Sequence, residues 1–450
     1  MDVARAILVG YPCARDLKME RTLARDVGKH IGSQVMVKGW VHTLRAMGKL
    51  NFIVVRDRTG LVQTKIRGFE DPEDRLKEEA AIKLIGNVVE DERAPEGFEV
   101  DIETLEIISS PVDTLPIQIN RSKDQIGTRL ETLLTHRSLS LRNPEIGSVF
   151  KIRAEIIWAF REYLKSQGFL EVQTPKIVAA GTEGGTALFP VQYFEQKAFL
   201  AQSPQFYKQM LVGAGYERVH EVGAAYRAEE HNTTRHLNEY ISLDYEMGFI
   251  EDFREITAVE TEMLRFLFDH IATSCKRELE MYEVEVPKVP AEIPHLKLEE
   301  GASILKEHFD KGVDGDLDPE GEQMICQYAK ENLDSDFVFL THYPTEKRPM
   351  YTYPCDDDPK LTNSFDLLYN GLEITTGGQR IHDYDQLVQS IEGRGLKAED
   401  FEFYLEIFKF GMPPHGGLAI GAERLTTQLL GLPNVREASF FPRDRTRIVP

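Results

Sequence analysis

The chain has 450 residues, with 53 Lys and Arg against 74 Asp and Glu, a formal net charge of −21. Its 42 % apolar content supports two or three domains with real cores, and no apolar run approaches the ~18–20 residues of a membrane span. The acidic total does not suggest a nucleic-acid partner, so any such surface has to be local.

The first residues hold a short apolar patch, Ala6 to Val9, then Arg15, Asp16 and Lys18, without a signal-peptide pattern. A cytoplasmic location is expected, with no membrane partner. Cys13, Cys275, Cys326 and Cys355 form no C-x-x-C pair, which gives zinc and redox motifs no support. Residues 1–33 read as an N-terminal extension.

Residues 34–67 alternate with period two: VMVKGWVHTLR, NFIVVRD, a turn at Arg58-Thr59-Gly60, then LVQTKI. A helix is predicted over Pro72 to Lys83. Two further strands follow, IGNVVED and FEVDIETLEII, around a turn with Pro95 and Gly97. Five strands with a helix after the third match a small OB-type barrel over 34–112. Lys38, Arg45, Lys49, Arg56 and Arg58 against Asp57 make it locally basic, which suits either RNA or an ordinary solvated strand pair. Residues 113–143 are polar and turn-rich and read as a hinge.

From 144 to 450 the texture changes. FKIRAEIIWAFREYLKSQGF carries apolar residues at helical spacing and stops at Gly168. Short strands follow, then helices at 251–276 and 319–331, a strand-rich NSFDLLYNGLEITTG, two helical stretches and GGLAIGAERLTTQLLGL. Strands and helices without strict alternation predict an α+β domain on an antiparallel sheet. No P-loop, G-x-S-x-G or H-E-x-x-H is present. His30-Ile31-Gly32-Ser33 is a near-match to a class I synthetase signature, but it precedes the barrel and no partner motif follows it.

Three segments carry the chemistry: GFLEVQTP (168–175), Tyr226-Arg227-Ala228-Glu229 with the loop HNTTRHLNE, and Gly421-Ala422-Glu423-Arg424 opening a helix. Singly, an R-x-E strand is more often a surface ion pair and a G-x-E-R start more often a cap. Together and in order they resemble motifs 1, 2 and 3 of class II aminoacyl-tRNA synthetases. TEGGTALFPVQYF, AFLAQSPQFYKQ, GLEITTGGQR, FGMPPHGGLAIGAER and FFPRDRTRIVP are most similar to the archaeal-type aspartyl enzymes of the aspartyl/asparaginyl subgroup.

That resemblance implies ATP-dependent activation of L-aspartate and its transfer to tRNA. Arg227 would hold the α-phosphate and the attacking carboxylate, a planar fork suited to both anions. Glu229 would meet the adenosine, while Arg235, His236 and Leu237 lie on the loop over the triphosphate. Arg424 would stack on adenine beside Gly421. Glu373 and Thr376 would hold Mg²⁺ with phosphate oxygens, Thr376 standing where many relatives have Ser. For aspartate, Glu183 would pair with the ammonium, Gln205 would orient it, and Lys208 and Arg380 would take its side-chain carboxylate, with Arg227 and Thr376 nearby. Without the match, Lys208 would be read as a helix-surface lysine. Motif 1, ending at Pro175, implies a homodimer.

In the barrel, the resemblance makes Phe52 a stacking residue for the central anticodon base, Gln63 its hydrogen-bond partner and Arg45 a further contact. The bland reading puts Phe52 in the core, although Ile53 and Val55 can fill it instead. Two positions near the third anticodon base separate family members that charge only tRNA-Asp, with Trp and Lys, from those that also charge tRNA-Asn. Here they are His42 and Pro95, the relaxed pattern. The alternatives are an enzyme restricted to tRNA-Asp, an asparaginyl enzyme, which would lack Lys208, and a non-catalytic RNA-binding paralogue.

Overall fold

The computed structural model describes residues 19–47, 50–182, 187–230, 233–313 and 317–450. They fall into two compact units, Met1–Pro144 and Glu145–Pro450.

In the first unit, β1 (Gln34–Met47), β2 (Leu50–Asp57), β3 (Gly60–Arg67), β4 (Ala81–Glu90) and β5 (Phe98–Ser109) close a barrel in the order β1-β2-β3-β5-β4. Alternation makes it: Val35, Val37, Val41, Ile53, Val55, Ile82, Leu84, Val88 and Val100 are at most 1 % exposed. Each such side chain contributes about 1.5–3 kcal/mol by leaving water. A bulge between Val41 and Thr43 lets β1 pair with β4 along its first half and β2 along its second.

The helix expected over Pro72 to Lys83 does not form. Residues 68–80 are turns, and β4 begins at Ala81. Asp74 and Glu79 both take positive φ, at 50° and 66°, which breaks any helical run. The Glu79 carboxylate compensates by accepting both Nη atoms of Arg56 at 2.7 Å.

In the second unit, α1 (Pro144–Ser166) buries Val149, Ile152, Ile156, Phe160 and Leu164, a stripe at spacing three and four. Then come β6 (Leu170–Glu171) and a small sheet of β7 (Ile177–Val178), β8 (Pro190–Tyr193) and β9 (Gln196–Leu200). The helix α2 (Gln205–Leu211) precedes β10 (Arg218–Tyr226), β11 (Glu239–Gly248) and α3 (Arg254–Ser274). After β12 (His295–Lys297) come α4 (Leu298–Phe309), α5 (Pro319–Asn332) and β13 (Phe337–Thr341). The chain ends with β14 (Ser364–Tyr369), β15 (Leu372–Arg380), α6 (Tyr384–Gly393), β16 (His415–Gly421) and α7 (Ala422–Leu430).

The main sheet runs β12-β13-β14-β15-β16-β11-β10-β6, antiparallel except at its two outer pairs. Side-chain alternation sorts its faces. Tyr245 points to one side, where its hydroxyl donates to Ile256 O of α3 at 2.7 Å. Ser242, Asp244 and Glu246 share the other face with Thr376, Gly378 and Arg380 of β15. That second face carries the site. Among the described residues no helix is long and apolar enough to cross a membrane.

Candidate active site

Arg227 leaves the end of β10, where its N–H donates to Asn238 O at 2.9 Å. The Asn238 amide returns to Arg227 O at 2.6 Å and Glu229 O at 3.1 Å, clamping the base of the loop between β10 and β11. Glu229 lies 4.0 Å from Arg227 and 3.7 Å from His236. Arg235 is tied to Glu322 of α5, a partner that no motif announced.

Arg424 rises from the first turn of α7 and donates to Glu373 O and Oε1, both at 3.2 Å. Its motif neighbour Glu423 does a different job. It is buried, accepts Arg153 of α1 at 2.6 Å and caps Ile241 N at 3.0 Å, so it anchors α7 at the wall of the site. Arg227, Glu229, Arg235, His236, Leu237, Glu373, Thr376, Gly421 and Arg424 all line one solvent-open cleft of about 670 Å³. Tyr240 and Ser242 complete its floor.

Further along the same sheet face lies a closed polar cluster. Lys208 is 0 % exposed; its Nζ donates to Asp244 Oδ1 at 2.9 Å and Leu418 O at 3.1 Å, with Glu246 at 3.4 Å. Arg380 donates through Nε to Glu246 Oε1 and through Nη2 to Gly417 O, both at 2.9 Å. Gln205 sits 3.4 Å from both Glu246 oxygens. A Cβ on Gly417 would lie 2.1 Å from Tyr245 O and 2.3 Å from Glu246 Oε2, so only glycine leaves room for this carboxylate. Burial pushes the Glu246 carboxyl up, but Arg380 and Lys208 outweigh it and hold the group below its ordinary value. Two cations thus face two carboxylates. Asp244 and Glu246, on the strand that follows the motif 2 loop, are partners to which the sequence reading assigned no role. Glu183 lies outside the described residues.

Glu373 and Thr376 lie together, Thr376 Oγ1 donating to Glu373 Oε1 at 3.1 Å. The structure adds Asp366, which pairs with Arg348 at 2.7 Å and opposes Thr376 across β14 and β15. Burial and the nearby Glu373 raise the Asp366 carboxyl, while Arg424 and Arg348 overcome burial to keep Glu373 low. Among the described residues no three His, Cys, Asp or Glu form a metal cage. Oxygens from one or two carboxylates and a hydroxyl, completed by phosphates and water, are what a magnesium ion takes beside a nucleotide. The donor set fits such an ion.

On the barrel, Ile53 and Val55 fill the core and Phe52 points outward, half-buried, opposite Arg45 and Lys65. Gln63 lies on the same outer face, its amide donating to Glu99 at 2.9 Å. His42 is not with them at the surface: it is 7 % exposed, and its Nδ1 accepts from Arg56 at 3.0 Å. Burial, aided by Arg56, lowers it to about 4, so the ring is neutral. Pro95 is exposed in the turn after β4. The two specificity positions flank opposite ends of a ten-residue strand, about 30 Å of extended chain. They do not form one pocket.

Residues 129–445 match the family described as tRNA synthetases class II (D, K and N), and residues 35–108 match an OB-fold nucleic acid binding domain. The chain belongs to the class II tRNA synthetases of that family. Among its relatives, a protein of Aeropyrum pernix named aspartate–tRNA(Asp/Asn) ligase is 49 % identical, over 93 % of this chain and 96 % of its own. One of Thermus thermophilus with the same name is 46 % identical over 96 % and 100 %. A Pyrococcus abyssi aspartate–tRNA(Asp) ligase is 42 % identical over 93 % and 97 %. The asparaginyl-tRNA synthetase of Pyrococcus horikoshii complexed with asparaginyl-adenylate superposes with a TM-score of 0.89 at 32 % identity, covering 96 % of this chain and all of that one.

Proposed function

We propose that this protein activates L-aspartate with ATP and transfers it to the 3′-terminal ribose of both tRNA-Asp and tRNA-Asn. The observation that carries the reading is the placement of Lys208 and Arg380, buried cations, on the same sheet face as the Arg227–Arg424 cleft. A carboxylate side chain at that cluster can share the two cations with Asp244 and Glu246, whereas a neutral amide brings no charge to repay disturbing those pairs. Naming supports the wider tRNA choice: the Aeropyrum and Thermus relatives carry both tRNAs in their names.

In the first step the aspartate α-carboxylate attacks the α-phosphorus of ATP, and pyrophosphate leaves. Arg227 brings the two anions together, and Arg424 holds adenine and the terminal phosphate. Positioning and charge neutralisation are what phosphoryl and nucleotidyl transfer need. Magnesium, when bound, neutralises the phosphates; Glu373 and Thr376 would hold it, with Asp366 beside them. Glu229, Arg235, His236 and Leu237 close the loop side, and Gln205 and Glu183 orient the amino acid. In the second step the ribose hydroxyl attacks the aspartyl carbonyl of the adenylate, forming the ester as AMP leaves and the hydroxyl proton is lost.

The barrel, 34–112, would read the anticodon through Arg45, Phe52 and Gln63, with 113–143 as the hinge and 144–450 as the catalytic domain. A homodimer through motif 1 is supported by exposed Trp158, Leu170 and Ile177 around that segment. A cytoplasmic location follows from the substrates. ATP–pyrophosphate exchange tests the core of this reading. It should proceed with aspartate and be at least 100-fold weaker with asparagine. Exchange with asparagine alone would transfer the protein to the asparaginyl branch, and no exchange would make it a non-catalytic paralogue.

A further inference from the structure

The short helix α2 carries both Gln205 and Lys208, one turn apart, and after its seven residues it runs directly into a single π-helical turn over Val212–Tyr216. A helix of that length has little stability of its own and takes its position from what it touches. On the same helix Gln209, 0 % exposed, meets two other wholly buried polar residues, Tyr404 and His415. The Tyr404 hydroxyl donates to Gln209 Oε1 at 3.0 Å. Gln209 Nε2 lies 2.8 Å from His415 Nε2, and His415 Nδ1 lies 2.9 Å from Pro413 O.

The directions are forced. Pro413 O can only accept, so His415 Nδ1 carries the proton. Gln209 Nε2 can only donate, so His415 Nε2 offers its lone pair. Reversing the amide would require both ring nitrogens to donate, which is a charged imidazole. Burial holds this ring at about 4, which keeps it neutral. Tyr404 also packs on Phe206 of α2, with ring centroids 4.4 Å apart.

We propose that Tyr404, Gln209 and His415 form a one-way hydrogen-bond relay that sets the position of α2, and thereby the reach of Gln205 and Lys208 toward aspartate. These are positioning residues, since none of them touches the cleft. The inference rests on the reading of Gln205 and Lys208 as aspartate contacts. It assigns amino-acid recognition, apart from nucleotide recognition, to a relay lying behind the helix.

The test is steady-state ATP–pyrophosphate exchange with Tyr404→Phe, which keeps the ring and removes only the donor, and Gln209→Met, which keeps the length and removes both bonds. Tyr282→Phe, whose hydroxyl bonds Glu145 O elsewhere, is the control. KM for aspartate should rise about 5- to 10-fold in Tyr404→Phe, the loss of roughly one buried hydrogen bond, and further in Gln209→Met. KM for ATP should stay within about twofold of wild type, a split that general loosening of the fold would not give. Wild-type KM for aspartate in both variants, or an equal rise for aspartate and ATP, overturns the relay. A wild-type protein without aspartate-dependent exchange overturns it too, by removing the reading beneath it, and the two failures are told apart by the wild-type assay alone.

Discussion

The ammonium of Lys208 lies 2.9 Å from Oδ1 of Asp244, and the two side chains are 0 % and 1 % exposed. Such a pair is costly to bury and costly to break, because removing one partner strands the other charge. Lys208→Met should therefore lower stability by about 3–5 kcal/mol and abolish measurable exchange with aspartate. Lys208→Met/Asp244→Asn should recover much of the stability in a urea melt without recovering exchange. Recovery of exchange in the double variant would mean that Lys208 serves the fold alone.

Thr376 offers a hydroxyl to the same oxygen of Glu373 that accepts Arg424. If the pair holds magnesium, Thr376→Val removes one ligand and should raise the magnesium concentration for half-maximal exchange by about tenfold. Thr376→Ser should restore it. A magnesium titration of the three proteins checks this.

Glu260 of α3 sits at 0 % exposure, accepting only Thr375 Oγ1 at 2.6 Å among the described partners of its side chain. Burial pushes its carboxyl up from 4.5 to about 8. Because the folded value exceeds the unfolded one, its stability contribution is full below about 4.5 and is lost as pH rises toward 8. Glu260→Gln does not titrate, so its melting temperature should gain on wild type by a few degrees from pH 5 to pH 8. Parallel melting curves across that range would contradict the assignment.

His42 and Pro95 are separated by the length of β4, and among the described residues they share no hydrogen-bond partner. Distant sites add. In His42→Trp and Pro95→Lys, the ratio of tRNA-Asn to tRNA-Asp charging should fall by about 3- to 10-fold each, and the double variant should show the product of the two within about twofold. A strongly non-additive double variant would mean that the positions meet on the bound anticodon.

Much of this was legible in the residues. The motifs pointed to the cleft, and period-two patterning located the five barrel strands, but alternation alone left open whether Phe52 or the pair Ile53 and Val55 fills the core; the structure puts Ile53 and Val55 inside. What the sequence hid was long-range or conformational. The helix expected at 72–83 failed because Asp74 and Glu79 adopt positive φ and Glu79 is recruited by Arg56. Glu322 reaches Arg235 across 87 residues of chain, and Asp366 of β14 is met by Arg348 from a loop 18 residues earlier. His42 has the composition of a contact residue, yet its strand neighbour Arg56 and the turn at Glu79 bury it. No local pattern encodes such partners.

The most direct test of the central claim is side-by-side aminoacylation with labelled aspartate, ATP and magnesium on transcripts of tRNA-Asp and tRNA-Asn. Comparable kcat/KM on the two tRNAs, within about tenfold, is the predicted result. Charging of tRNA-Asp alone would contradict the relaxed choice drawn from His42 and Pro95, and charging of neither would contradict the enzyme itself.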